Sequence, residues 1–153
     1  MKVAIDADTN GLELKKILVG FLKEAQVDVV DLAYLETHPH VNYPDVAFNL
    51  ARCIQQQEFE RGILICGTGL GMAICANKVK GVYAGTCHDV YSAQRLRKSN
   101  DAQVLTLGAL VVGVELAKVI VAAWVASEFQ RGRSLPKVKR IRELEAESFE
   151  HGP

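Results

Sequence analysis

Ile63-Leu-Ile-Cys-Gly-Thr-Gly-Leu-Gly-Met-Ala-Ile-Cys-Ala-Asn-Lys78 is the stretch on which the fold turns. Its apolar start, residues 62–65, suits a strand buried on both faces of a parallel sheet. The run breaks at Cys66-Gly67-Thr68-Gly69-Leu70-Gly71 and resumes over 72–78 with helical character. A strand, a glycine-rich turn and a helix start together build an anion site. Backbone N–H groups at the helix N-terminus point at the bound group, and the helix dipole favours negative charge there. Glycines at 67, 69 and 71 let that backbone approach a ligand without Cβ clashes. The pattern lacks the Lys-Ser/Thr of a nucleoside-triphosphate loop.

Cys66 closes the strand, and in open parallel sheets ligands bind at the carboxyl ends of strands. A thiol there, beside several amide donors, can be held as a thiolate and can take a proton from a substrate. A lone cysteine is more often a small buried apolar residue. The adjoining Gly-Thr-Gly-Leu-Gly favours the functional reading.

Working outward, strands alternate with helices. Residues 2–6 read as a first strand, ending in the polar cluster Asp6-Ala7-Asp8-Thr9-Asn10-Gly11. Apolar residues at 14, 17, 18, 21 and 22 mark a helix over 12–25. Asp8 has two compatible readings: a cap for this helix, or a carboxylate facing the same crevice as Cys66. Residues 27–32 form the second strand. A loop over 36–43 carries His38 and His40, whose spacing supports solvated histidines better than metal ligands. Pro44 fits the first turn of a helix running to about 57. Residues 82–87 are the fourth strand, followed by His88, which is either an acid or base at a strand end or a half-exposed histidine without a role. A helix over 90–98, a fifth strand over 103–107 and a long helix to about 127 follow. After the basic loop 130–136, a charged last helix runs to about 149. It has too little apolar surface to fold alone. A partner subunit or simple solvation both answer that. The pattern predicts a single domain, 1–153, built as a three-layer α/β/α sandwich with a five-stranded parallel sheet.

Composition sets further bounds. With 18 basic and 18 acidic residues, the chain has no overall nucleic-acid footprint. No positively charged start leads into an apolar core, so no signal peptide is expected. Residues 105–125 come closest to a membrane span but carry Glu115 and Lys118. The four cysteines lack metal-ligand spacing and read as reduced thiols of a cytoplasmic protein. No residue pattern calls for a metal or an organic cofactor.

Several segments together resemble the ribose-5-phosphate isomerase B family, which also contains the two galactose-6-phosphate isomerase subunits. They are Ile65-Cys-Gly-Thr-Gly-Leu-Gly71, Ala76-Asn-Lys78, Tyr91-Ser-Ala-Gln94, Asn100-Asp101 and Val111-Val-Gly-Val-Glu-Leu-Ala117. Tyr43-Pro44 and Gly132-Arg133 also match, and the similarity runs from Lys2 to about Glu147. The resemblance implies a Rossmann-like homodimer or higher assembly, such as a dimer of dimers, with its active site at the subunit interface. The C-terminal helix, 136–150, would be a dimer contact. The implied chemistry is aldose–ketose interconversion of a sugar phosphate through a cis-enediolate. Cys66 would be the base, with Thr68 and Asp8 completing the catalytic set. Gly67, Gly69, Leu70 and Gly71 would serve the developing oxyanion. Tyr43, Asn100, Ser99 and Thr9 fall at substrate positions. Arg133 and Lys137 fall at phosphate positions, although lysine loses the bidentate fork of arginine.

Three positions depart from the family. Thr9 and Ser99 stand where it usually has histidine, and Leu110 where it often has arginine. The histidine matching Ser99 is thought to help open a furanose ring, and serine cannot shuttle protons near neutral pH. A tetrose 4-phosphate needs no such step, because the oxygen that would close a five-membered ring carries the phosphate. The expected substrate is therefore a short or open-chain sugar phosphate. A poor ribose-5-phosphate isomerase, with His88 standing in for the lost histidine, is the near alternative. A subunit of a two-chain isomerase and a non-catalytic sugar-phosphate binder stay open beside it.

Overall fold

The computed structural model describes residues 1–150; residues 151–153 of the expected domain lie outside the described residues. Five parallel strands alternate with helices. Strand β1 is Lys2–Ala7, β2 Asp28–Asp31, β3 Arg61–Cys66, β4 Ala84–Thr86 and β5 Val104–Gly108. Helices α1 (Leu12–Glu24), α2 (Tyr34–Thr37), α3 (Tyr43–Gln55), α4 (Leu70–Ala76), α5 (Val90–Lys98), α6 (Val114–Val125) and α7 (Leu135–Glu150) connect and flank them. A short 3₁₀ turn, Gly132–Ser134, precedes α7. The sheet order is β2-β1-β3-β5-β4.

β3 is central and buried along its whole length, as the apolar run that follows Arg61 requires. Its alternate residues feed two cores. Ile63 and Ile65 pack with α1 and α6 residues such as Leu18 and Trp124. Leu64 and Cys66 pack on the other face with Leu50 of α3 and Met72 of α4. The expected three-layer arrangement is therefore present.

Two segments differ from the sequence reading. The loop expected over 36–43 contains α2. The turn is held from outside: Ala33 N–H donates to Asp31 Oδ1 at 2.9 Å and Tyr34 N–H to Asp6 Oδ2 at 3.1 Å. The fourth strand is shorter than 82–87. At its start, Asn77 bonds both the N–H and the carbonyl of Ala84, at 2.9 Å each, in place of strand neighbours. Elsewhere local chemistry agrees with the pattern. Asn42 and Asp45 form a capping box at α3, with Pro44 in its first turn.

Helix α7 is tied to the body by polar contacts. Tyr83 Oη donates to Glu145 Oε2 at 3.0 Å, and Arg142 pairs with Asp101 at 3.0 Å. Val138 is buried, while Ile141 and Leu144 stay exposed. Among the described residues, no helix is long and apolar enough to cross a membrane.

Candidate active site

The sheet order reverses between β1 and β3, the place where open α/β sheets bind ligands. The loops leaving these two strands meet there: Asp8 N–H donates to the Ile65 carbonyl at 3.1 Å. They line a cleft of about 350 Å³ with Asp8, Asn10, Tyr43, Cys66, Gly67, Thr68, Gly71 and Leu110 on its walls.

Cys66 is 6 % exposed and ends β3. Its Sγ accepts the Gly69 N–H at 3.1 Å. Gly69 folds back to make it with φ of 78°, a conformation that suits glycine. A Cβ at Gly69 would also meet the Leu107 backbone at 2.9 Å. Leu70 N–H aims at Thr68 Oγ1 at 3.4 Å. The turn thus spends the Gly69 amide on the sulfur. The N–H groups of Gly67, Thr68 and Gly71 have no hydrogen-bond partner among the described residues, so they are available to a ligand oxygen.

Asp8 does not cap α1, whose N-cap Gly11 has no side-chain cap bond; its carboxylate holds the loop before the helix instead. Its Oδ1 accepts the N–H groups of Asn10 and Gly11 at 2.9 and 3.1 Å, and the side chain also lines the cleft. Thr9 is exposed and outside the cleft; Asn10 lines it instead. Leu110, 77 % exposed, puts an apolar wall where the resemblance suggested arginine. The role of Asn10 was not legible, although it sits in a polar strand-end cluster. Burial raises the thiol pKa of Cys53, Cys75 and Cys87, the last to about 11 with the charge of Asp89 adding. Those three are held as thiols.

The remaining expected residues are elsewhere. Ser99 is the C-cap of α5 and its Oγ meets Arg95 Nη1 at 3.4 Å. Asn100 follows it, exposed. Arg133 lies in the 3₁₀ turn and Lys137 in the first turn of α7, on a segment bound to the end of α5 through Gln130 N–H and the Lys98 carbonyl at 3.1 Å. This corner precedes β5, whose first residue pairs with Gly62, whereas Cys66 pairs with its last, Gly108. Four residues of strand separate those ends, about 13 Å at ~3.3 Å per residue. One chain therefore carries the two halves of the expected site at opposite ends of its sheet. His88 does not line the cleft either; its Nε2 accepts the Gly108 N–H at 3.0 Å. His38 stacks on Tyr34 with centroids 4.0 Å apart. Among the described residues, no group of three His, Cys, Asp or Glu side chains is placed to hold a metal ion.

A protein-family model described as Ribose/Galactose Isomerase matches residues 3–141. The chain is 50 % identical to D-erythrulose-4-phosphate isomerase of Pectobacterium atrosepticum, over 92 % of this chain and 93 % of that protein. It is 46 % identical to ribose-5-P isomerase B of Listeria innocua, over 95 % and 97 %. The structure of Clostridium thermocellum ribose-5-phosphate isomerase B superposes with a TM-score of 0.88 at 42 % identity, covering 96 % of this chain and 99 % of that one.

Proposed function

Since the chain belongs to the ribose/galactose isomerase family and is a sugar-phosphate isomerase, we propose that it interconverts the aldose and ketose forms of a tetrose 4-phosphate with Cys66 as the base. The observation that carries this reading is the Cys66 sulfur in the strand-switch cleft, hydrogen-bonded by the Gly69 amide at 3.1 Å.

The Cys66 thiolate takes the proton from C1 of the ketose, or from C2 of the aldose. The C–H electron pair moves into a C1–C2 double bond, and the carbonyl oxygen becomes an enediolate oxygen. The thiol returns the proton to the neighbouring carbon while a proton passes between O1 and O2. Amides of Gly67, Thr68 and Gly71 receive the oxyanion, where preorganised donors act most strongly. Thr68 and Asp8 stand in the cleft to hold the two oxygens, and Tyr43 covers its mouth.

One departure supports the short substrate: Ser99 removes a proton shuttle that an open-chain sugar does not need. The similarity to a D-erythrulose-4-phosphate isomerase points the same way. Arg133, Lys137 and Asn100, stranded at the other end of the sheet, reach a cleft only when a second copy brings them. The proposal therefore includes a homodimer with shared sites, the exposed Ile141 and Leu144 face of α7 lying on the partner.

The test is proton exchange in deuterated water, followed by NMR at C1 and C2 with tetrose, pentose and hexose phosphates. Exchange fastest with the tetrose phosphate and lost in Cys66→Ala is the expected result. Faster exchange with ribose 5-phosphate would overturn the substrate. Undiminished exchange in Cys66→Ala would overturn the base.

A further inference from the structure

We propose that His88 is a positioning residue that sets the Cys66 turn through the Gly108 amide. The sheet shows why a side chain is needed there. Between β4 and β5 the ladder runs by Val104 N–H to the Tyr83 carbonyl at 3.1 Å and Cys87 N–H to the Thr106 carbonyl at 3.3 Å. The next rung belongs to Gly108 N–H, but the chain turns away after Thr86. The His88 ring supplies the missing acceptor, Nε2 at 3.0 Å. That bond fixes the neutral tautomer with its proton on Nδ1.

The rung bears directly on the cleft. Gly108 is pressed against Thr68: a Cβ on it would stand 2.8 Å from the Thr68 carbonyl carbon, Cα and oxygen. The next two amides hold the turn itself, Ala109 N–H to the Cys66 carbonyl at 2.8 Å and Leu110 N–H to the Gly67 carbonyl at 3.0 Å. Thr86 adds a second hold from the same strand end, its Oγ1 donating to the Gly69 carbonyl at 3.2 Å. Successive amides 108, 109 and 110 thus run from His88 to Cys66 to Gly67. Losing the first shifts the other two, and with them the amide donors and the sulfur. A misplacement of about 1 Å at a reacting group costs about 100-fold.

This inference rests on the isomerase reading for its kinetic test but not for its structural one. His88→Leu removes the acceptor. Glutamine can place Oε1 near the Nε2 position, so His88→Gln restores it without restoring a proton shuttle. The expected result is kcat on the tetrose 4-phosphate down by about 10- to 100-fold in His88→Leu with KM within about threefold, and recovery to within about threefold in His88→Gln. Amide hydrogen exchange of Gly69 and of residues 108–110 should rise at least about tenfold in His88→Leu and not in His88→Gln, with α1 and α3 unchanged. Equal loss of kcat in both variants would make His88 a proton carrier and overturn the proposal. Unchanged amide exchange in His88→Leu would overturn it as well. If the wild type turns over no sugar phosphate, the isomerase reading fails and the amide-exchange comparison still decides this one.

Discussion

Tyr43 packs against Gly71: its ring fills the space that a Cβ on the glycine would take, with Oη 2.8 Å from that position. The first residue of α3 is thereby seated over the first turn of α4, at the mouth of the cleft. Gly71→Ala should drive the ring off. The ring is 40 % exposed and free to swing out, and alanine suits a helix better than glycine by roughly 0.5–1 kcal/mol. Stability should therefore change little while KM for the sugar phosphate rises. Tyr43→Ala should raise KM too, and the double variant should be no worse than the worse single one, because both remove the same lid. Additive losses in that cycle would separate Tyr43 from Gly71.

Ser99→His restores a proton shuttle at the corner that a second copy brings to the cleft. Histidine titrates in the range where ring opening needs it, and serine does not. The variant should gain about 100-fold in kcat/KM on ribose 5-phosphate, the lower end of acid–base catalysis, and should gain nothing on a tetrose phosphate. Coupled assays on both sugars check this. No gain on the pentose would mean that ring opening is not what sets the substrate.

The alternation of strands and helices was legible because apolar runs and turn residues lie together in sequence. What was hidden depends on distant partners. Helix α2 is capped by Asp6, 28 residues away. Arg61, just before the apolar run, is buried and ends α6 by donating to the carbonyls of Trp124, Val125 and Ser127 at 2.7–2.9 Å. The same division holds at the site. The Cys66 turn is contiguous and visible. Asn10 and Leu110 join it only when the loops after β1 and β5 come together. Ser99, Asn100, Arg133 and Lys137 carry no signal of their own and were marked by family resemblance alone.

Lys15 is 3 % exposed and pairs with two carboxylates, Asp31 at 2.7 Å and the fully buried Asp6 at 3.3 Å. Burial lifts the Asp6 carboxyl above its ordinary 3.8, against the pull of the Ala7 amide and the Lys15 charge. Burial also works against the Lys15 ammonium, but Asp31 and Asp6 outweigh it and hold the group above its ordinary 10.5. Between 3.8 and the raised Asp6 value, the folded chain keeps a proton that the unfolded chain has released. The stability from Asp6 is complete below pH 3.8 and falls as pH rises through that window. The Lys15 contribution is complete below pH 10.5 and is lost as pH climbs through its raised value. Lys15→Met leaves Asp6 buried without its cation and should cost about 3–5 kcal/mol near neutral pH, less in mild acid where Asp6 takes a proton. Asp6→Asn should flatten the acid window. Urea unfolding from pH 4 to 8 reads both; a cost for Lys15→Met that does not shrink toward acid would refute the coupling.

The placement of Cys66 and Arg133 at opposite ends of one sheet makes a stricter prediction. If each site takes its sulfur from one copy and its phosphate cation from the other, Cys66→Ala and Arg133→Ala each cripple both sites of their own homodimer. Losing a charge-assisted bond of about 1.5–3 kcal/mol should cost Arg133→Ala about 10- to 150-fold in kcat/KM. After mixing, unfolding and refolding, half the dimers are mixed, and each of those holds one site with its cysteine and its arginine both intact. Activity should return to about a quarter of the wild type, the value set by isologous two-fold pairing. Sites complete within one chain would give no recovery at all. Adding Ile141→Asp and Leu144→Asp to both chains should abolish the recovery by separating the copies, and sedimentation would show the loss of the dimer beside the loss of activity.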